Sequence, residues 1–133
     1  PGGALGKRLF LKVSDFFAQH QRPQVTVDAD IKSVIVEISQ KRLGATAVLK
    51  GNVIQGIITD GDIRRMLEAG GDFMNLQAKD IMCSNPKQIQ ADELASLALE
   101  IMEEHKISQL LVMEATSYIG IVHLHDILKE GII

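Results

Sequence analysis

Gly56-Ile57-Ile58-Thr59-Asp60-Gly61-Asp62-Ile63 returns further along the chain as Gly120-Ile121-Val122-His123-Leu124-His125-Asp126-Ile127. In each stretch a glycine leads two β-branched residues and a polar residue, and an aspartate comes three residues later. The match extends outward from these two stretches. Ser14-Asp15-Phe16-Phe17 is echoed by Lys79-Asp80-Ile81-Met82, Pro23 by Pro86, and the run from Ile31 to Ile38 by that from Leu94 to Ile101. The offset is 65 at the start, 63 in the middle and 64 at the end, so the small insertions are expected in loops. Self-similarity of this kind marks one supersecondary unit used twice.

The apolar period supplies the elements of each copy. Ile31, Val34, Ile35 and Ile38 recur at i, i+3, i+4 and i+7 and predict an amphipathic helix, with Asp28 and Asp30 placed to cap its start. Leu94, Leu97, Ala98, Ile101 and Met102 predict its counterpart. Next come a β-branched run at Thr46-Ala47-Val48-Leu49, a Gly51-Asn52 turn and a second run from Val53 to Thr59. Copy two has Leu110 to Met113, a looser turn around Ala115-Thr116-Ser117, then Tyr118 to His123. Short helices are expected at Ile63 to Ala69 and His125 to Lys129. The fold class is therefore α/β of the α+β type, as two β-α-β-β-α repeats. A three-stranded sheet with two helices leaves one apolar face bare, so the repeats are expected to pack sheet to sheet about a pseudo-twofold axis, with clefts where they meet. The expected boundaries are a linker from a missing upstream domain over 1–12, repeat one over 13–71, a connector over 72–77 after Gly70-Gly71, and repeat two over 78–133.

Composition narrows the function. At 133 residues and 46% hydrophobic content the chain can bury a core without disulfides or metals. Fourteen Lys and Arg against 17 Asp and Glu leave a net charge of −3, which argues against nucleic acid as the partner. The basic clusters are pairs (Lys7-Arg8, Lys41-Arg42, Arg64-Arg65), which suit a small phosphate better than a polyanion. No apolar run exceeds the four residues Leu110 to Met113, so neither a membrane span nor a signal peptide is expected. Cys83 is the single cysteine, which fits a reducing cytoplasm and, with no cation or His beside it, an inert thiol. Met66, Met74, Met82, Met102 and Met113 are expected to fill the core. A chain beginning at Pro1 reads as a piece of something longer.

The chemistry is concentrated where the first repeated stretch turns. A strand ending at Thr59, a turn through Asp60-Gly61 and a helix from near Asp62 would present free backbone N–H groups to an anion, with the Thr59 hydroxyl beside them. Asp62 can accept both hydroxyls of a ribose diol, and Arg64 and Arg65 stand one turn on. The same residues also describe a plain capped helix in which Thr59 and Asp62 serve only the backbone. In copy two, His123, His125 and His105 raise the question of a metal, but no carboxylate or Cys stands at a spacing that completes four ligands. His123 is better read as a donor to a ligand phosphate or carboxylate, and His125 as a plain packing or helix-start residue. Lys41-Arg42 and Lys106 suit either a phosphate contact or a solvated helix C-terminus.

From Gly56 to Asp62, the sequence resembles the nucleotide motif of tandem cystathionine-β-synthase (CBS) domains: Gly, two mostly apolar residues, Thr or Ser, two variable residues, then Asp. Copy two keeps Gly120 and Asp126 but carries His123 where the hydroxyl belongs. The resemblance runs from Val13 to the C-terminus. It implies that Thr59 and Asp62 hold phosphate and ribose, with Asp126, His123 and Arg64 as second-site or auxiliary contacts and Gly56, Asp60 and Gly120 completing the ligand-binding set. The lead-in Pro1 to Leu9 and Val13-Ser14-Asp15, with Ile58 to Arg65 and His123 to Leu128, is similar to sugar-phosphate isomerases of the arabinose-5-phosphate type, in which a sugar-isomerase (SIS) domain precedes a CBS pair. That likeness implies a parent enzyme interconverting D-ribulose 5-phosphate and D-arabinose 5-phosphate on the way to Kdo and lipopolysaccharide, with its catalytic residues upstream of Pro1.

The implied partners are a nucleotide or nucleotide-sugar such as CMP-Kdo, the chain's own SIS domain, and a homodimer of CBS pairs within a tetramer. No cofactor, metal, nucleic acid or membrane is implied. The leading expectation is a regulatory module that binds its ligand in the cleft between the repeats; the alternative is a structural or oligomerisation module with a vestigial ligand site. An autonomous enzyme built on His123, His125 and Asp126 is the weakest reading, because no nucleophile–base pair recurs in both copies.

Overall fold

Asp30 decides where the first long helix begins. In the computed structural model, which describes residues 10–17 and 21–129, its carboxylate accepts the Ser33 N–H at 2.7 Å. Helix α1 then runs Ile31–Lys41 and buries Ile31, Val34 and Ile38. It stops at Arg42, which takes a left-handed φ of 59° and donates its N–H to the Ile38 carbonyl at 3.1 Å. Asp28, the other expected cap, instead meets Lys79 at 3.3 Å. Ile35, at the edge of the expected apolar stripe, stays 41% exposed.

The strands follow the expected runs and add a residue or two at their ends. β1 (Gln24–Thr26) pairs parallel with β2 (Ala45–Lys50), which pairs antiparallel with β3 (Val53–Thr59). Helix α2 (Asp60–Ala69) comes directly after and starts three residues before the expected Ile63. After a 3₁₀ turn at Phe73–Asn75 comes a single helical turn, α3 (Ala78–Ile81). The second copy repeats the pattern as β4 (Gln88–Gln90), α4 (Ala95–His105), β5 (Gln109–Glu114), β6 (Ser117–His123) and α5 (Leu124–Leu128). The result is an α+β fold with two three-stranded mixed sheets of identical order.

The helix register needs one correction. The apolar runs align Ile31 with Leu94, whereas in the structure Ile31, Val34 and Ile38 correspond to Ala95, Ala98 and Met102. Leu94 precedes α4 in the Asp30 position and is 40% exposed, without a side-chain cap bond. Leucines on both sides of the stripe made the sequence register ambiguous by one residue. Among the methionines, Met66, Met102 and Met113 are buried, but Met74 is 57% exposed on the 3₁₀ turn.

The chain divides into two compact units, and each combines most of one repeat with the lead-in of the other. The first unit, Gln21–Pro86, takes α3 from the start of copy two. Ala78 donates its N–H to the Ala29 carbonyl at 2.8 Å, and Cys83 exchanges backbone bonds with Ile57 at 2.9 and 3.1 Å. Ala78 thereby enters a core with Val34, Ile38, Val48 and Ile58. The second unit, which among the described residues comprises 87–129 with 10–17, takes the start of copy one. Val13 donates to the Glu93 carbonyl and Ala95 to the Leu11 carbonyl, each at 2.9 Å. Val13 is fully buried with Ile89, Ala98, Met102, Leu110, Val122 and Ile127. Each fully buried aliphatic side chain of these cores contributes about 1.5–3 kcal/mol.

A β-bulge sits beside each motif glycine: Val48 pairs with Gly56 and Leu49 with Ile54, while Val112 pairs with Gly120 and Met113 with Tyr118. A bulge of this kind bends the strand and re-aims its far end, here the junction with the next helix.

Candidate functional site

The first junction is built by a reciprocal cap. Thr59 ends β3 in an extended conformation and its hydroxyl oxygen accepts the Asp62 N–H at 3.3 Å. Asp62 answers: its Oδ2 accepts the Thr59 N–H at 2.9 Å and the Thr59 hydroxyl at 3.2 Å. This is a capping box, and it orders both candidate ligand residues before any ligand is considered. The other carboxylate oxygen, Oδ1, accepts from Arg65 Nη2 at 2.6 Å. The Asp62 side chain is 17% exposed and that of Arg65 is 65% exposed.

The expected cluster of free amides is mostly engaged. Thr59 N–H goes to Asp62, Asp60 N–H to the Gly44 carbonyl at 3.0 Å, and Asp62 N–H to Thr59. Among the described residues, the Gly61 N–H is the donor of this turn left for an anion. Gly61 faces the Arg65 guanidinium: a Cβ there would lie 3.3 and 3.4 Å from its two terminal nitrogens.

Gly56 has a packing role. A Cβ at this position would stand 2.5 Å from the Cys83 carbonyl oxygen and 2.8 Å from the Met82 sulfur, so only glycine lets the segment after α3 cross β3. Asp60 is exposed and lines a hollow of about 110 Å³ with Ile35, Ile38, Ser39 and Ile63. Neither Thr59 nor Asp62 lines this hollow, and it is well below the roughly 300 Å³ of a small-molecule pocket. Arg64 is one residue short of the spacing that brings Arg65 onto Asp62. The sequence offers both Arg64 and Arg65, with Arg64 the expected contact; the i, i+3 relation between Asp62 and Arg65 is the signal for the residue that makes it.

The second junction keeps the backbone plan and changes the chemistry. Leu124 N–H goes to the Ser108 carbonyl at 2.8 Å, matching Asp60 and Gly44. His123 ends β6, and its Nδ1 accepts the His125 N–H at 2.9 Å. That bond requires an unprotonated Nδ1, so the proton of the neutral ring is on Nε2. Asp126 is half-buried in the Asp62 position, and the reciprocal pair has no counterpart among the described residues. Gly120 is buried opposite Val112. His125 lies on α5, and among the described residues no cluster of His, Cys, Asp or Glu could hold a metal ion. Lys41 pairs with Glu37 at 2.9 Å, and Arg42 and Lys106 are the left-handed residues ending α1 and α4, so all three serve helix C-termini. No helix of the described residues is long and apolar enough to cross a membrane.

Comparison with known proteins agrees with this geometry. The CBS domain family model matches residues 13–69 and 78–132. The chain is 38% identical over 135 aligned positions to arabinose 5-phosphate isomerase KdsD of Yersinia pestis, covering all of this chain and 41% of that protein. It is 40% identical over 131 positions to the protein of the same name from Francisella tularensis, covering 97% of this chain and 40% of that one. The chain thus spans about two-fifths of the length of these relatives. Among solved structures, an uncharacterised conserved protein from Pyrococcus horikoshii has a TM-score of 0.81 at 20% identity, over 92% of this chain and 93% of that one. A CBS domain protein from Pyrobaculum aerophilum, complexed with AMP, has a TM-score of 0.77 at 20% identity, over 87% and 89%. With both motif junctions in place and the family model matched over each copy, this chain is a tandem pair of CBS domains and belongs to the CBS domain family.

Proposed function

We propose that this CBS pair is a regulatory nucleotide-binding module of an arabinose 5-phosphate isomerase, with its ligand held at the β3–α2 junction. The observation that carries the reading is the Thr59–Asp62 constellation, half-buried and pre-ordered at the turn into α2. Asp62 would accept the ribose hydroxyls and the Gly61 N–H would meet a phosphate, while Thr59 holds the Asp62 carboxylate in place. The AMP complexes of two proteins with this fold support the ligand class. The names of the relatives support the isomerase; catalysis would lie in an SIS domain of the longer protein. In that setting CMP-Kdo, a nucleotide-sugar end product, is the finer candidate for the ligand. A cytoplasmic location fits the lone Cys83, and the assembly would be a tetramer that contains dimerised CBS pairs.

Regulation requires the ligand to bind one arrangement of the enzyme better than another, because equal affinity for both shifts nothing. A thermal-shift panel of AMP, ATP, CMP, CMP-Kdo and arabinose 5-phosphate tests the site. A ligand at a hundred times its Kd adds roughly 2.7 kcal/mol of stability. Asp62→Asn, which keeps an oxygen for the cap, should remove that gain. A second reading is favoured by one observation, the capping box itself, which gives Thr59 and Asp62 a complete backbone role. In that reading the pair is an oligomerisation module, and no compound in the panel moves the melting point.

A further inference from the structure

We infer that Arg65 sets the ligand class of this junction, yielding Asp62 only to a ligand that brings an anion of its own; the inference rests on the reading of Asp62 as the ribose acceptor. Asp62 offers about four lone-pair sites. Two on Oδ2 are taken by the Thr59 N–H and hydroxyl, and one on Oδ1 by Arg65 at 2.6 Å. A vicinal diol needs two acceptor sites, and the oxygen outside the cap is the one that Arg65 holds. The guanidinium is the replaceable donor, because its side chain is 65% exposed whereas the Thr59 N–H bond belongs to the start of α2.

Arg65 also lies across Gly61, whose N–H is the open donor of the turn. A cation over a helix N-terminus opposes the helix dipole, and Asp62 is the charge that holds it there. A phosphate at Gly61 would meet this guanidinium without a large movement of the side chain. Arg65 then exchanges one charge-assisted partner for another, and Oδ1 is released to the diol. A nucleoside has no phosphate to offer, so it must displace Arg65 from Asp62 with nothing given in return. The site therefore selects phosphorylated ligands through Arg65.

Calorimetric titration of AMP and of adenosine into the intact chain tests this, using wild type, Arg65→Gln, Arg65→Lys and Asp62→Asn. The expected result is that Arg65→Gln narrows the preference for AMP over adenosine by about tenfold, the factor equal to 1.4 kcal/mol. AMP weakens, adenosine holds or tightens, and Arg65→Lys retains most of the preference. Binding that depends on Asp62 but keeps the same AMP-to-adenosine ratio in Arg65→Gln overturns the inference and leaves the site reading standing. Equal tightening of both ligands also overturns it, because Arg65 would then be only a competitor for Asp62. Failure of wild type to bind AMP, or binding indifferent to Asp62→Asn, removes the site reading and this inference together.

Discussion

The two junctions share a backbone and differ in what their side chains do with it. At both, a strand turns into a helix whose first N–H is held by a carbonyl from the loop before the middle strand, Gly44 in one and Ser108 in the other. At the first, Thr59, Asp62 and Arg65 form a closed chain of bonds with a carboxylate at its centre. At the second, the His123 ring accepts the His125 N–H and Asp126 has no reciprocal partner among the described residues. A duplicated fold thus preserves the geometry of a junction more strictly than its chemistry. The chain needs the backbone bonds to fold, while the side-chain constellation built on them differs between the copies.

The sharpest way to break this comparison is to neutralise each aspartate in turn. Asp62→Asn is expected to weaken AMP about 100-fold, the upper end of the loss for hydrogen bonds to a charged group. Asp126→Asn is expected to leave affinity within about threefold, by calorimetry under the same conditions. Equal losses would mean that the two junctions are functionally alike.

The caps give a smaller, purely structural contrast. Thr59→Ala removes one side of a capping box and is expected to cost about 1 kcal/mol in urea unfolding. His123→Ala removes a single bond on a five-residue helix and is expected to cost about 0.5 kcal/mol. Reversal of that order would show that the box contributes nothing beyond an ordinary cap.

The smallest effects concern the long helices, one capped by Asp30 and the other preceded by Leu94. Leu94→Asp is expected to add about 0.5 kcal/mol by supplying the missing acceptor. The pH dependence of Asp30 has a definite sign. The Ser33 hydroxyl, and then its N–H, hold this carboxyl below its ordinary 3.8. Its contribution is therefore fully present above that value and is lost as the pH falls through the lower folded value. The stability gap between wild type and Asp30→Ala should be constant near neutrality and close only in acid. A gap that opened on acidification would contradict the cap.

Much of the fold was legible because its signals are local. The β-branched runs placed four strands within a residue or two, since alternation and turn residues act over short distances. The repeated Gly-to-Asp stretch located both junctions. Thr59 and Asp62 were legible as neighbours, because a strand-to-helix turn with a three-residue spacing brings their polar atoms together. The choice of Arg65 over Arg64 depended on Asp62 lying inside α2 rather than ahead of an Ile63 start, and helix starts set by a cap are hard to place from periodicity. The register of α4 was missed for a related reason: Leu94 continues the apolar stripe on paper, yet sits outside the helix that Ala95 begins.

By itself the sequence determined that one unit is used twice, which elements each copy forms, and that a hydroxyl, a carboxylate and an arginine pair gather at the first turn. These come from bonds and periods spanning a few residues. Only the tertiary structure decided that Ala78 completes the core around Ile58 and Val13 the core around Val122, each lead-in segment serving the other copy's sheet. It also decided that Gly56 is small because the Cys83 backbone crosses it. Such pairings join residues far apart in the chain, and they are chosen by which apolar face is left to cover, a quantity that exists only once the sheets have formed.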